Sequence, residues 1–284
     1  MPPTAPAPQC SKPLFRKPCR PRPNNGQSWA DAYTDLQTAL ATAQAGDTVW
    51  VAEGIYFPTN TNDRNISFEP ASGVRLYGGF AGTETNPTQR DWATHPTVLS
   101  GDIGAPGDST DNSYNVVYLH QPDSSTVLDG FTLRDGVADF SGLSGSRDRR
   151  KSGGGLYIAG KDWGAYASVR NCRFLPNTAP NFGRGAVVNG EGEGSVAPKF
   201  YNCYFEDNNS LSLGGGLAWL GAAWVERGAD VDSCAFLRNR AVRGGGMYYL
   251  DTERTDTIDV THCTFMKNYA STSGGGCQFA LGRL

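Results

Sequence analysis

The chain has 284 residues, room for one large domain or two small ones. Its net charge of −3 excludes the basic face that a nucleic-acid partner demands, and no apolar run reaches the ~18 residues of a membrane-spanning helix. Thirty-six glycines are near twice the ordinary share of about 7%, yet they follow no Gly-x-y period, which excludes collagen.

Residues 1–23, MPPTAPAPQCSKPLFRKPCRPRP, are rich in Pro and basic residues and have no apolar h-region. They read as a disordered or non-native arm, not as a signal peptide. The stretch SWADAYTDLQTALATAQAG (28–46) changes character: Tyr33, Leu36, Leu40 and Ala43 recur at helical spacing, Ser28 or Asp31 caps the start, and Gly46 ends it. A helix here serves as the end cap that a solenoid needs over its first open coil.

From 47 to 152 the coils are irregular. DTVWVAEGIYF (47–57), GVRLYGGF (73–80) and VLDGFTL (127–133) each join a β-rich run to a Gly corner, the last with Gly130 in the place later taken by Cys172. Two loops interrupt them. GDIGAPGDSTDNSYN (101–115) offers Asp102, Asp108, Asp111 and Asn112, hard oxygen ligands of the kind that hold Ca²⁺ in a Gly-rich loop, without EF-hand spacing. The insertion at 139–152 carries Arg147, Arg149, Arg150 and Lys151, a charge cluster open to an acidic glycan or simply to solvent.

Regular repeats occupy 153–284. NCRFLPN (171–177), NCYFEDN (202–208), SCAFLRN (233–239) and HCTFMKN (262–268) recur with cysteine steps of 31, 31 and 29. Phe174, Phe205, Phe236 and Phe265 keep step with Cys172, Cys203, Cys234 and Cys263, and so do Asn177, Asn208, Asn239 and Asn268. Glycine runs starting at 153, 183 (as Gly-Arg-Gly), 214, 244 and 274 follow the same clock. A period near 30 in β-formers, Gly and Asn describes a solenoid of three short strands per coil, not a pair of helices.

One strand is expected over 169–174, with Cys and Phe inward, and a turn at the Asn, whose tolerance of left-handed backbone suits it. After each glycine corner, Leu156/Ile158, Ala186/Val188, Leu217/Trp219, Met247/Tyr249 and Cys277/Phe279 fall at matching inward positions. The triple glycine marks a corner where a Cβ would clash or φ must be positive. The cysteines are expected as reduced, buried thiols, since parallel Cβ vectors fit a disulfide dihedral poorly. Cys10 and Cys19 lie in the arm. Without Cys-x-x-Cys, and with His95, His120 and His262 scattered, a structural zinc site is not expected.

NNGQSWADAYTDLQTALATAQAGDTVWVAEGIYFPT, followed by LYGGFAGTET, LSGDIG and LDGFTL, resembles the opening coils of secreted bacterial right-handed parallel β-helix proteins of the pectin-lyase-like superfamily. The F-x-x-N and Gly-Gly-x motifs are similar to the repeat of polymorphic outer-membrane proteins. The resemblance runs over 24–280. It implies an all-β, right-handed parallel β-helix as one domain over 24–284, outside the cell or at the outer membrane. In that family a signal peptide precedes such coils and more coils with an anchor follow, so the chain is expected to be truncated at its C-terminus.

The family also hosts polysaccharide lyases and glycoside hydrolases, whose chemistry needs converging carboxylates. Asp-Asp and Gly-His-Gly are absent, and the residues beside each Cys (Arg173, Tyr204, Ala235, Thr264) offer no outward Asp ladder. The expectation is therefore a non-catalytic, monomeric, adhesin-like protein that meets a polysaccharide or cell-surface glycan, with no cofactor besides Ca²⁺. Trp163, Tyr166 and Trp224 are the candidate sugar platforms; Trp219 reads as core and Tyr248 belongs to the same aromatic set. The alternatives are a lyase or hydrolase using Asp108, Asp111 and Arg149, and a structural stalk.

Overall fold

The computed structural model describes residues 24–145, 147–160, 164–190, 196–221, 230–251 and 258–281. It is a parallel β-solenoid. The first sheet stacks Thr48–Ala52, Arg75–Phe80, Val127–Asp129, Ser168–Arg170, Lys199–Tyr201, Asp230–Asp232 and Asp259–Thr261 in that order. The second stacks Gly54–Tyr56, Thr97–Ser100, Phe131–Arg134, Arg173–Phe174, Tyr204–Glu206, Ala235–Leu237 and Thr264–Met266. The third stacks Val117–His120, Leu156–Ala159, Ala186–Asn189, Leu217–Leu220, Met247–Asp251 and Cys277–Leu281.

The inward ladders form as the repeat requires. Phe174 pairs with Phe205, Phe205 with Phe236 and Phe236 with Phe265. Their rings stack at 4.5, 4.7 and 4.7 Å between centroids, within 4° of parallel. Cys172, Cys203 and Cys234 are buried free thiols, and Cys263, in the last described coil, is half-buried. Burial drives the Cys172 thiol up to about 12.

The expected single strand over 169–174 breaks in two. Asn171 takes φ 51°, and the same left-handed bend recurs at Gly130, Asn202, Ser233 and His262. This bend lets one strand serve the first sheet and the next serve the second. It also corrects the early alignment: Asp129 pairs with Arg170 and Thr132 with Arg173, so Gly130 stands where Asn171 does and Phe131 stands where Cys172 does.

The Asn ladder holds, with its backbone role displaced by one residue. Asn208 Nδ2 donates to the Phe174 carbonyl at 2.9 Å, and Asn208 Oδ1 accepts from the Asn177 backbone N–H at 3.2 Å. Asn239 and Asn268 repeat the pattern one and two coils later. The left-handed residue is the one before each, Asp207, Arg238 and Lys267, while Pro176 stands at that position before Asn177. The side-chain amides thus satisfy backbone groups that a tight turn would otherwise leave buried and unpaired.

The glycine triplet does two jobs. Gly214 takes φ 63°, and a Cβ on Gly216 would lie 2.7 Å from the Gly246 carbonyl of the next coil.

The capping helix is shorter than its pattern suggests. It spans Leu36–Thr42, is capped by Asp35, and buries Leu36, Ala39 and Leu40 on the core. Ser28 instead caps a separate 3-10 turn, Trp29–Asp31.

The third sheet differs from the other two in being buried on both faces. Leu217 and Trp219 enter the central core, while Ala218, Leu220, Tyr157, Val187, Tyr248 and Leu250 form a second apolar cluster outside it. Sheets covered on both sides read as continuous apolar runs, here LYIA, AVVN, LAWL and MYYL. Part of the cover is the 139–152 insertion. The Tyr157 hydroxyl donates to the Arg147 carbonyl, and Arg147 donates to Asn189 Oδ1 at 3.1 Å.

Candidate functional site: the seam between two open sheets

Among the described residues, the outer faces of the first and second sheets carry no such cover over their later coils. Between them runs the seam of left-handed residues. In the early coils the seam is closed by a loop that sequence inspection passed over, residues 81–96. Glu84 accepts backbone N–H bonds from Ala81, Gly82 and Thr83, and an Asn86/Gln89 capping box fixes the short helix Pro87–Gln89. The loop then lays Arg90 and Trp92 across the seam.

Arg90 donates to the Gly78 carbonyl at 3.0 Å and pairs with Asp129 at 2.8 Å, the two side chains only 10% and 6% exposed. Its guanidinium lies 4.9 Å from the ring centres of both Tyr77 and Trp92. Trp92 sits so close that a Cβ on Gly79 would come within 2.7 Å of its backbone.

From Asp129 an amide chain runs down the seam. Asn171 Nδ2 donates to Asp129 Oδ1 at 2.7 Å, and Asn202 Nδ2 donates to Asn171 Oδ1 at 2.7 Å. This orientation is dictated: the ion-paired carboxylate can only accept, so each amide must turn its NH₂ toward it and present oxygen to the next coil.

Beside these amides the second sheet forms a cleft of about 380 Å3, with Trp92, Ala93 and Pro96 as wall, Thr132, Arg173 and Tyr204 as floor, and Asn171 and Asn202 as flank. Trp92 is 39% exposed and Tyr204 42%. Arg173 is held only at 3.6 Å from Glu206, so its guanidinium remains available. The cleft can stack an apolar ring face on either aromatic while amide and guanidinium groups address hydroxyl or acidic oxygens.

Across the seam, the first sheet's outer face forms a second cleft of about 500 Å3 that includes Arg170, Lys199, Tyr201, Asp230, Asp232 and Asp259. Asp230 and Asp259 are register partners, Lys199 pairs with Asp230 at 3.1 Å, and His262 pairs with Asp232 at 2.8 Å. The His262 contact, followed by the Thr261 hydroxyl, holds Asp232 below the usual carboxylate range. The expectation of no outward Asp row is thereby corrected. It considered the residues flanking each Cys, whereas Asp230 and Asp259 stand four places upstream of Cys234 and Cys263.

The residues singled out from sequence lie elsewhere. Asp102 accepts from the Gly107 N–H, Asp108 from the Thr110 N–H and hydroxyl, and Asp111 from the Ala105 N–H, so each carboxylate closes a turn of its own loop. Asn112 Nδ2 is bonded to the Asp135 carbonyl, and Asp111 Oδ1 and Asn112 Oδ1 are buried without a partner. Among the described residues no group of three or more His, Cys, Asp or Glu is placed to hold a metal ion.

Arg149 donates to the Asn65 carbonyl and the Ser67 hydroxyl and lies over Tyr118. Arg150 is clamped to Asp148, whose carboxyl it holds down to about 2. Lys151 donates to the Ser144 carbonyl. The insertion is thus a strap fastened to the solenoid by its own charges.

Tyr166 is partly buried against the central core, while Trp219 and Tyr248 are fully buried and offer no platform. Trp163 and Trp224, like Cys10, Cys19 and the arm, lie outside the described residues. No helix is long and apolar enough to cross a membrane among the described residues.

Compared with protein-family models, with curated proteins and with solved structures, the chain matches none.

Proposed function

We propose that this solenoid is a non-catalytic glycan-binding protein displayed outside the cell, in the manner of an adhesin, and that the glycan lies in the seam cleft. The observation that carries the reading is the cleft's lining: two half-exposed aromatics, Trp92 and Tyr204, facing the Asn171 and Asn202 amides and the Arg173 guanidinium. Aromatic faces cover the C–H face of a sugar ring, and planar polar groups pair with its hydroxyls; the mixture is what a small polar ligand needs for orientation. Among the described residues no carboxylate lines this cleft, whereas glycoside cleavage calls for two.

Binding of the purified chain to a glycan array, followed by titration of the hits, tests this. Tyr204→Ala is expected to weaken binding at least about tenfold, a loss near 1.4 kcal/mol. An array with no hit overturns the reading.

One observation favours a second reading, a hydrolase. Asp230 and Asp259 stand side by side on the first sheet, next to the Asp232–His262 pair. New reducing ends from a polysaccharide, abolished by Asp259→Asn, would put that reading first.

A further inference from the structure

The seam cleft is closed at one end and open at the other. We infer that it reads the end of a saccharide chain and not its interior, an inference that rests on the glycan reading above.

The floor of the cleft, Thr132, Arg173 and Tyr204, is part of a row of the second sheet that runs on beyond it. Thr132, Arg173, Tyr204, Ala235 and Thr264 are successive register partners, so they follow one another along the solenoid axis at steps of about 4.8 Å. At the Thr132 end the row meets a wall. Trp92 stands over Gly79 and Gly130, the seam positions of the early coils: a Cβ on Gly130 would lie 2.8 Å from Arg90 Nη1 and 3.3 Å from Trp92 Cβ.

This wall is built to stay. The Arg90–Asp129 pair behind it is buried, and the Asp91 N–H donates to the Gly79 carbonyl at 2.8 Å. Opening it would strand a buried charge, the most costly way to move a loop.

Toward the other end nothing comparable rises among the described residues. Beyond the cleft the row continues over Ala235 and Thr264, and the seam over Ser233 and His262. A chain stacked on Tyr204 can therefore continue toward Thr264, but its unit against Trp92 must be its last. The same asymmetry is written in the amide chain: polarised from Asp129, it presents the Asn202 carbonyl oxygen on the open side.

The test compares intact and endo-digested polymers at equal mass, with dextran, xylan and hyaluronan as probes and the full chain as binder. For the polymer that binds, the half-saturating mass concentration should fall by the factor by which digestion multiplies the ends. Reduction of the reducing end and oxidation of the non-reducing unit, done separately, identify which end is held. An equal half-saturating mass concentration before and after digestion overturns end reading while leaving glycan binding standing. No binding by any intact or digested probe, on an array as well, overturns the glycan reading itself.

A second variant guards against misfolding as an explanation. Ala235→Trp builds a wall on the open side, at a position outside the cleft lining. It should weaken binding of long chains at least tenfold and leave a disaccharide from the same polymer unaffected. Equal weakening of both would mean that the chain does not leave over Ala235.

Discussion

Tyr201 and Tyr248 are the same residue type on the outside of the same solenoid, yet Tyr201 is 50% exposed and Tyr248 is 1% exposed. The first belongs to a sheet whose outer face meets solvent, the second to a sheet with a second apolar cluster on its far side. The three sheets of a coil are therefore not equivalent. The third is a structural wall packed on both faces, and the first two are free to vary outward while their inner ladders repeat. The proposed glycan recognition falls on the pair with the free faces, where a side chain can change from Arg173 to Tyr204 to Ala235 in successive coils without touching the core.

The widest separation between the two regions should appear in stability. Tyr248→Ala is expected to cost roughly 3–5 kcal/mol, in the range of a buried aromatic, and Tyr201→Ala no more than about 0.5 kcal/mol. Urea melts of the two variants measure both. Equal losses would mean that the first sheet is also covered, and the outer faces could not then be told apart.

The inner architecture was legible in the sequence because each inner row repeats a residue type. Cys, Phe and Asn recur at one spacing since stacking in register rewards identity. The outer cluster of the third sheet was less legible, because LAWL shows no alternation from which to learn that Ala218 and Leu220 face a second core. The seam cleft was not legible. Its wall is a single unrepeated loop, and nothing in QRDWATHP announces that Arg90 will cross to Asp129, 39 residues on. The Gly130 misplacement had a similar origin. A glycine and an asparagine share the left-handed bend, and pairing Gly130 with Cys172 overlooked that backbone requirement. Asp102, Asp108 and Asp111 show a further limit of the sequence, since each carboxylate accepts bonds within its own loop and no residue spacing announces those turns.

A pair of identical substitutions sharpens the contrast between seam and core. Asn208 is buried and bonded to the preceding coil, while Asn202 lies on the open seam at φ 50°. Asn208→Gly should lose about 1–3 kcal/mol by orphaning the Phe174 carbonyl and the Asn177 N–H. Asn202→Gly should stay within about 0.5 kcal/mol, because glycine adopts the left-handed bend without penalty. A large loss at Asn202 would show that the amide chain from Asp129 stabilises the fold and is not merely displayed by it.

The glycine corners allow a similar comparison. Gly216→Ala drives a methyl toward the Gly246 carbonyl and the Phe205 Cβ, 2.9 Å away, and overpacking of this kind costs about 1–3 kcal/mol. Gly145→Ala, with nothing within 4 Å of the new methyl, should be neutral. Should both be neutral by thermal melts, the coils can breathe apart at the corner and the ladder is softer than its spacing implies.

The finest comparison is between a closed inner face at neutral and at alkaline pH. The Cys172 thiol is raised by burial from 9.0 to about 12, so the folded chain keeps its proton while the unfolded chain gives it up. The unfolded state then binds fewer protons than the folded one above pH 9, and stability falls as pH rises. The contribution is complete below the unfolded value and is lost progressively as pH climbs toward about 12, at roughly 1.4 kcal/mol per pH unit. Cys172→Ala removes this titration and little volume. It should be less stable than the parent at pH 7, and the gap should narrow by about 1.4 kcal/mol by pH 10, read from urea midpoints at both pH values. The other thiols and the tyrosines titrate in both proteins and cancel in the difference. A gap that stays constant would mean that Cys172 ionises as readily folded as unfolded, which would place the top of the cysteine ladder in contact with water.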